Sequence, residues 1–169
     1  MMPRQVVIRM EDHYPFGESE EDPTAVKVLV RRRIDLTFAD REALLEKIQY
    51  FRRLNQGSLV QLENMLQGDH KLEMFYEYVP MRLDVWLGGM EERLIEGICR
   101  QLIELGNYLA KCYVRATLRL ENIGLDQHYR VKYFLDFTYS LDSATNKNQL
   151  RNQYQEDILE MLRPYLGQL

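Results

Sequence analysis

The sequence predicts an α+β fold, in which a small antiparallel sheet with one helix precedes a mainly helical part. Two observations lead to this prediction. Short β-branched and apolar runs, separated by Gly, Pro and Asn, fill residues 1–79 and are typical of strands. Beyond Pro80 the apolar residues recur at helical spacing, most clearly over residues 91–111.

Four strands are expected in the first part. A short strand over residues 5–10 leads into an acidic loop, and a second strand begins at Ala25 and ends near Arg31. Two further strands, over residues 58–66 and 71–79, are separated by a turn that contains Gly and Asp, and they form an antiparallel hairpin. Together these strands make up the predicted sheet.

One helix is predicted between the second and third strands. Thr37 followed by Asp40 resembles a capping box with Asp in the place of Glu, and the helix ends before Gly57. Its apolar residues recur about every 3.6 positions, so they form one face that packs on the sheet. They are Leu44, Ile48, Phe51 and Leu54.

The second part is predicted to contain two amphipathic helices and two short strands. The first helix spans residues 91–111, and its apolar stripe must be covered by the last helix or by a partner. Strands over 123–126 and 130–137 follow, and a polar connector spans 140–147. The last helix carries its apolar residues at Leu150, Tyr154, Ile158, Met161 and Tyr165.

Composition excludes several classes of function. The 22 Lys+Arg and 26 Asp+Glu residues give a net charge of −4, which provides no general attraction for nucleic acid or an anionic membrane. No apolar run approaches the ~18 residues of a membrane span, so a soluble, cytoplasmic protein is expected. Cys99 and Cys112 lie about 20 Å apart on one predicted helix, too far for a disulfide, which fits a reducing compartment.

The segment YVRATLRLENIGLD resembles the catalytic loop of the protein kinases, H-R-D-L-x-x-x-N. In this comparison Arg115 takes the place of the His, Ala116 that of the Arg and Thr117 that of the catalytic Asp. Asn122 matches the Asn that binds magnesium. A threonine hydroxyl cannot accept a proton at neutral pH as a carboxylate does, so the resemblance implies a loop without its base.

The resemblance extends along most of the chain. FRRLNQGSLVQLENML is similar to the end of the kinase αC helix and the loop to the fourth strand, and ICRQLIELGNYLAKCYV to the αE helix. KLEMFYEYVPMRLDVWL is similar to the fifth strand, the hinge and the helix that follows, which makes Tyr76 the gatekeeper and Glu77 to Val79 the nucleotide-binding hinge. The implied architecture is a kinase small lobe over 1–79, a truncated large lobe over 80–139, and a connector with a final helix over 140–169.

The resemblance also indicates what phosphate binding would require. Lys27, in the run AVK, matches the lysine that pairs with the α and β phosphates, although an ordinary strand lysine is the alternative. The glutamate that should orient this lysine falls on Lys47, or on Glu46 after a shift of one residue. No Gly-rich loop is present, because Gly17 is the only glycine before Gly57 and acidic residues surround it.

Asp136-Phe137-Thr138 resembles the D-F-G motif, whose Asp binds magnesium. Counted from Asn122, the usual Asp position falls nearer Leu135, so Asp136 needs one inserted residue in the preceding hairpin. Asp136 is therefore either a displaced metal ligand or a polar residue at a strand end. Few residues follow, so the activation segment and the lower helices of the family have no counterpart.

Phosphoryl transfer depends on positioning and charge stabilisation, so losses at the base, the phosphate loop and the ion pair compound one another. The sequence therefore favours a catalytically inactive kinase-like protein, a pseudokinase, that serves as a binding or scaffold module. It needs no cofactor, and its partner is another protein or a second copy of the chain. The alternative is a weak Mg-ATP binder or residual kinase that uses Lys27, Asn122 and Asp136.

Overall fold

A computed structural model describes residues 4–9, 25–35, 41–135, 139–142 and 146–166. The predicted α+β class is confirmed, because these residues form one larger sheet, two small sheets and four α-helices. None of the helices in this described part combines the length and the apolarity that a membrane span requires.

The larger sheet has four strands: β1 (Arg4–Arg9), β2 (Ala25–Asp35), β3 (Leu62–Gln67) and β4 (Lys71–Glu77). Their order is β1-β2-β4-β3, and β4 pairs antiparallel with both of its neighbours, as predicted. The prediction of an antiparallel sheet is wrong for one pair, because β1 and β2 run parallel. The chain between them, 25 − 9 − 1 = 15 residues, is long enough for the crossover that parallel strands need.

β2 continues four residues beyond its predicted end and includes the arginine run. Arg31, Arg32 and Arg33 pair with Phe75, Met74 and Glu73 of β4. Ladder hydrogen bonds use only backbone groups, so a basic run does not end a strand when a partner strand is present.

Two small sheets lie in the second part. One has the order β5 (Met81–Arg82), β7 (Ile123–Leu125) and β8 (Val131–Tyr133), and the other pairs β6 (Val114–Arg115) with β9 (Ser140–Leu141). β7 and β8 confirm the two predicted short strands, although β8 is shorter than expected. β9 lies in the predicted polar connector and was missed, because a two-residue strand leaves no periodic signal.

The four helices are α1 (Arg41–Arg53), α2 (Leu83–Trp86), α3 (Glu92–Lys111) and α4 (Lys147–Leu162). α1, α3 and α4 confirm the three predicted amphipathic helices. The Asn146 side chain caps α4 by accepting a hydrogen bond from the Asn148 backbone N–H at 2.8 Å. The capping box predicted for α1, Thr37 and Asp40, lies outside the described residues.

The apolar stripe of α3 is covered by α4 of the same chain. Gly106 marks the closest approach, since a Cβ at this position would lie 2.8 Å from the Cβ of Tyr154. No partner protein is therefore required to cover the α3 stripe. The buried apolar side chains of the two helices include Ile95, Ile98, Leu102, Leu105 and Leu109 of α3 and Leu150, Tyr154, Ile158 and Leu162 of α4.

α1 and β8 join the sheet to the helical part. The Tyr50 hydroxyl on α1 donates to the Cys112 carbonyl at 3.2 Å, and the Asn55 N–H donates to the Tyr108 hydroxyl at 2.8 Å. Tyr133 of β8 donates its N–H to the Ser58 carbonyl at 2.6 Å. Because Ile48 and Phe51 are also buried, a single hydrophobic core continues from the sheet to α3.

Gly106→Ala is expected to lower the free energy of unfolding by about 1–3 kcal/mol, because the new methyl group overlaps the Tyr154 side chain. The matched control is Gly97→Ala on the same helix, where no atom lies within 4 Å of an added Cβ. That change should raise the free energy of unfolding by about 0.5–1 kcal/mol through helix propensity. Urea unfolding followed by circular dichroism measures both; equal effects would contradict the close helix packing.

Candidate functional site

The segment that resembles a catalytic loop begins with β6 and ends in a single 3₁₀ turn, Leu120–Asn122. Tyr154 of α4 forms two hydrogen bonds with the first half of this segment. The Tyr154 hydroxyl donates to the Val114 carbonyl at 2.6 Å and accepts from the Ala116 N–H at 3.0 Å. Ala116, predicted at the Arg position of the loop, thus contributes a backbone contact to the packing of α4 and has no charged group to offer.

Arg115 and Thr117 also make structural contacts. The Arg115 guanidinium forms an ion pair with Asp142 at 2.7 Å, which links β6 to the residue after β9. The Thr117 carbonyl accepts a hydrogen bond from the Tyr133 hydroxyl at 3.0 Å, while the residue itself is exposed. The segment thus presents a threonine to solvent where phosphoryl transfer needs a carboxylate.

Asn122 lies at the start of β7 and is half-buried. Its N–H donates to the Arg119 carbonyl at 3.0 Å, and its carbonyl accepts from the Phe134 N–H at 2.8 Å. This second hydrogen bond places the end of β8 beside Asn122. The predicted metal site, built from Asn122 and Asp136, would require these two parts of the chain to be close. The role of Asn122 as a metal ligand stays a prediction.

The residue next to Phe134 at this point is Leu135, which is fully buried. The β7–β8 ladder runs without a register shift, so no bulge in it supplies the extra residue that Asp136 needs. Asp136 itself lies outside the described residues. Among the described residues, no three His, Cys, Asp or Glu side chains converge as a metal centre would need.

The strand register bears on Lys27. Within the part of β2 that pairs with β4, Val30 stands opposite Tyr76 and Arg32 opposite Met74. Lys27 precedes this part of the ladder, which begins at Leu29 opposite Glu77, and it pairs with Gln5 of β1. Lys27 as a phosphate ligand stays a prediction.

The predicted hinge is also engaged in packing. The Glu77 carboxylate accepts from the Gln61 N–H at 3.0 Å and lies 3.3 Å from the Lys132 amine. Val79 is fully buried. Tyr76 is buried with its ring edge-on to Phe134, at 4.9 Å between centroids. Glu77 thus joins β4 to β8, and Val79 contributes to the core.

Lys47, at the position of the orienting glutamate, binds a different part of the chain. Its amine donates to the Tyr139 carbonyl at 3.2 Å, and the Tyr139 hydroxyl donates to the Lys47 carbonyl at 2.7 Å. These reciprocal bonds hold α1 against the residue that precedes β9. Burial raises the pKa of Tyr139 to about 12, so its hydroxyl keeps the proton that it donates.

Sequence reasoning missed the three tyrosines that hold this region together. Burial raises the pKa of Tyr154 to about 12 and that of Tyr133 in the same direction, so both hydroxyls remain neutral donors at physiological pH. Tyr154 was predicted only as an apolar residue of the last helix. A tyrosine in an otherwise aliphatic stripe signals that its hydroxyl needs a buried acceptor, and that signal was available.

Two grooves on the described surface lie beside α1. One has a volume of about 550 Å³ and lies between α1 and β9; we call it the α1–β9 groove. The other, of about 310 Å³, lies where α1 leads to β3. Neither is lined by Glu77, Val79 or Asn122, so these two grooves are separate from the predicted nucleotide site.

Tyr154→Phe is expected to lower the free energy of unfolding by about 1–3 kcal/mol, because it leaves the Val114 carbonyl without its buried donor. Tyr165→Phe is the control, since the Tyr165 hydroxyl has no hydrogen bond within the described part of the chain and should change stability by less than about 0.5 kcal/mol. Thermal unfolding measures both. Equal melting temperatures for the two variants would contradict the role assigned to Tyr154.

The resemblance to protein kinases stays a prediction from the order and spacing of short motifs in the sequence. No protein-family model matches the chain, and no curated protein matches its sequence.

Proposed function

We propose that this chain is a protein-binding module with a protein-kinase-like arrangement and no phosphoryl-transfer activity. The observation that carries the proposal is the state of the catalytic-loop-like segment. Its three degenerate positions, Arg115, Ala116 and Thr117, offer no carboxylate and are engaged in packing contacts through Asp142, Tyr154 and Tyr133. A segment built this way holds the fold together and has no base to activate a hydroxyl nucleophile.

The surrounding charges support the same proposal. Leu135 is buried at the position counted for the metal-binding Asp, and Lys47 binds Tyr139 where a glutamate would orient the phosphate-binding lysine. Electrostatic stabilisation of the transferred phosphoryl group depends on these groups acting together. Because the groups act as a unit, loss of several of them leaves little of the rate enhancement.

The binding half of the proposal rests on the described surface. Val85 and Trp86 of α2 are 64% and 50% exposed, and Leu141 of β9 is 55% exposed beside the α1–β9 groove. Scattered apolar residues are ordinary on a surface, whereas apolar residues beside a groove are typical of interaction sites. The partner is another protein or a second copy of the chain.

Millimolar Mg-ATP is expected to leave the melting temperature of the purified chain unchanged. A nucleotide present at about 100 times its Kd would stabilise the fold by about 2.7 kcal/mol. For a chain of 169 residues, that stabilisation amounts to a rise of several degrees. Differential scanning fluorimetry measures the shift, with Mg-ADP and Mg²⁺ alone as reference ligands.

Lys27→Ala and Arg32→Ala provide the matched variants for this measurement. Both should behave like the wild-type chain toward Mg-ATP. A clear stabilisation by Mg-ATP that Lys27→Ala abolishes would instead support the alternative, a weak nucleotide binder that uses Lys27. Stabilisation that both variants reduce equally would not assign the nucleotide to Lys27.

The chain is expected to associate with itself or with another protein at physiological concentration. Sedimentation velocity of the purified chain measures self-association, and sedimentation of the tagged chain in extract of its native cell measures larger complexes. A single species with the 20.2 kDa mass of the monomer in both experiments would contradict the binding function.

A further inference from the structure

We infer that the α1–β9 groove binds an extended acidic segment of a partner protein, which adds a strand to the open edge of β9. The inference rests on the proposed function of the chain as a protein-binding module. It identifies the surface used and the chemistry of the segment that fits it.

The backbone of β9 offers the first contact. The Asp142 N–H donates to the Tyr113 carbonyl at 2.8 Å, and Ser140 and Leu141 stand opposite Arg115 and Val114. Hydrogen-bonded and non-hydrogen-bonded pairs alternate along an antiparallel ladder, so Leu141 occupies a non-hydrogen-bonded pair. Its N–H and C=O therefore point away from β6, and neither has a partner within the described part of the chain.

The opposite edge of this small sheet is already occupied. Val114 and Ala116 of the β6 segment bond the Tyr154 hydroxyl, so α4 covers that side. On the β9 side, the Tyr139 carbonyl bonds the Lys47 amine, and the next outward groups along the strand are those of Leu141. An edge residue such as Leu141, whose outward N–H and C=O have no partner in the described part of the chain, is a template for an added strand.

The groove beside this edge provides room for side chains. Its volume is about 550 Å³, and it is bounded by α1 on one wall and by residues 139–141 on the other. Apolar contact comes from Tyr50, Tyr139 and the half-exposed Leu141. One or two apolar side chains of an extended segment fit against these residues, while its backbone pairs with Leu141.

The charges of the groove favour an acidic segment. The α1 wall presents Lys47 and Arg53 against one carboxylate, Glu46. The nearby Asp142 carboxylate is neutralised by Arg115 at 2.7 Å, so it adds little repulsion. A carboxylate placed near Arg53, at the last turn of α1, therefore meets a cation beside an apolar surface, and this complementarity selects the partner.

The probe is a library of random peptides displayed on phage and selected on the full chain. Selected peptides are expected to combine an acidic residue with apolar residues at alternating positions. Fluorescence anisotropy of a labelled selected peptide should show affinity about tenfold weaker for Leu141→Ser, through lost apolar contact, and for Arg53→Glu, through charge reversal.

Two variants serve as matched controls. Leu159→Ser alters an apolar residue of α4 that is 41% exposed and remote from the groove in sequence, and Arg52→Glu alters the neighbouring arginine, which lines the smaller groove. Both should keep wild-type affinity. A library without acidic binders, or peptides that bind all four variants equally, would overturn the inference.

Amide hydrogen exchange tests the added strand separately from the side-chain contacts. The Leu141 amide should exchange at least several-fold more slowly when the peptide is bound, because its N–H becomes hydrogen-bonded. Unchanged exchange at Leu141 would overturn strand addition. A chain that does not respond to Mg-ATP and associates with a protein, yet selects no groove-dependent peptide, loses this site and retains its proposed function.

Discussion

The structure depends on the contact between α3 and α4, and on the hydrogen bonds that the Tyr154 hydroxyl forms with the β6 segment. Gly106 allows the two helices to approach closely enough for the Tyr154 ring to be buried, and the hydroxyl then reaches Val114 and Ala116. One side chain therefore couples the helical packing to the conformation of the catalytic-loop-like segment. Because that segment pairs with β9 and contacts β8 through Tyr133, the position of α4 determines much of the candidate site.

The sequence predicted the helices and the β3–β4 hairpin, but it did not predict the pairings of β1 with β2 and of β6 with β9. The apolar period of α3 gives its length and its buried stripe, because a helix satisfies its backbone locally. The parallel pairing of β1 with β2 could not be predicted, since the residue types of a strand do not determine the direction of its partner. β9 was missed for a related reason: only its long-range partner, β6, makes it a strand.

The sequence identified candidate site residues, but it did not predict which residues they contact. Short motifs identify Arg115, Thr117 and Asn122 as neighbours along one segment, and the structure places the end of β8 beside Asn122. Their partners come from distant parts of the chain: Asp142 is 27 residues from Arg115, and Tyr154 is 38 residues from Ala116. No spacing rule connects such positions, because tertiary packing alone brings them together.

The hydrogen bond between Ser58 and Tyr133 has a consequence for cleavage of the chain. This bond joins residues that lie 75 positions apart in the sequence (133 − 58). Further hydrogen bonds link Tyr50 of α1 to Cys112, and Asn55 to Tyr108. The covalent link between the sheet and α3 passes through an exposed turn at Gly88 and Gly89. A protease that cleaves this turn would leave two fragments still bound to each other, and separately produced halves would have the contacts needed for complementation.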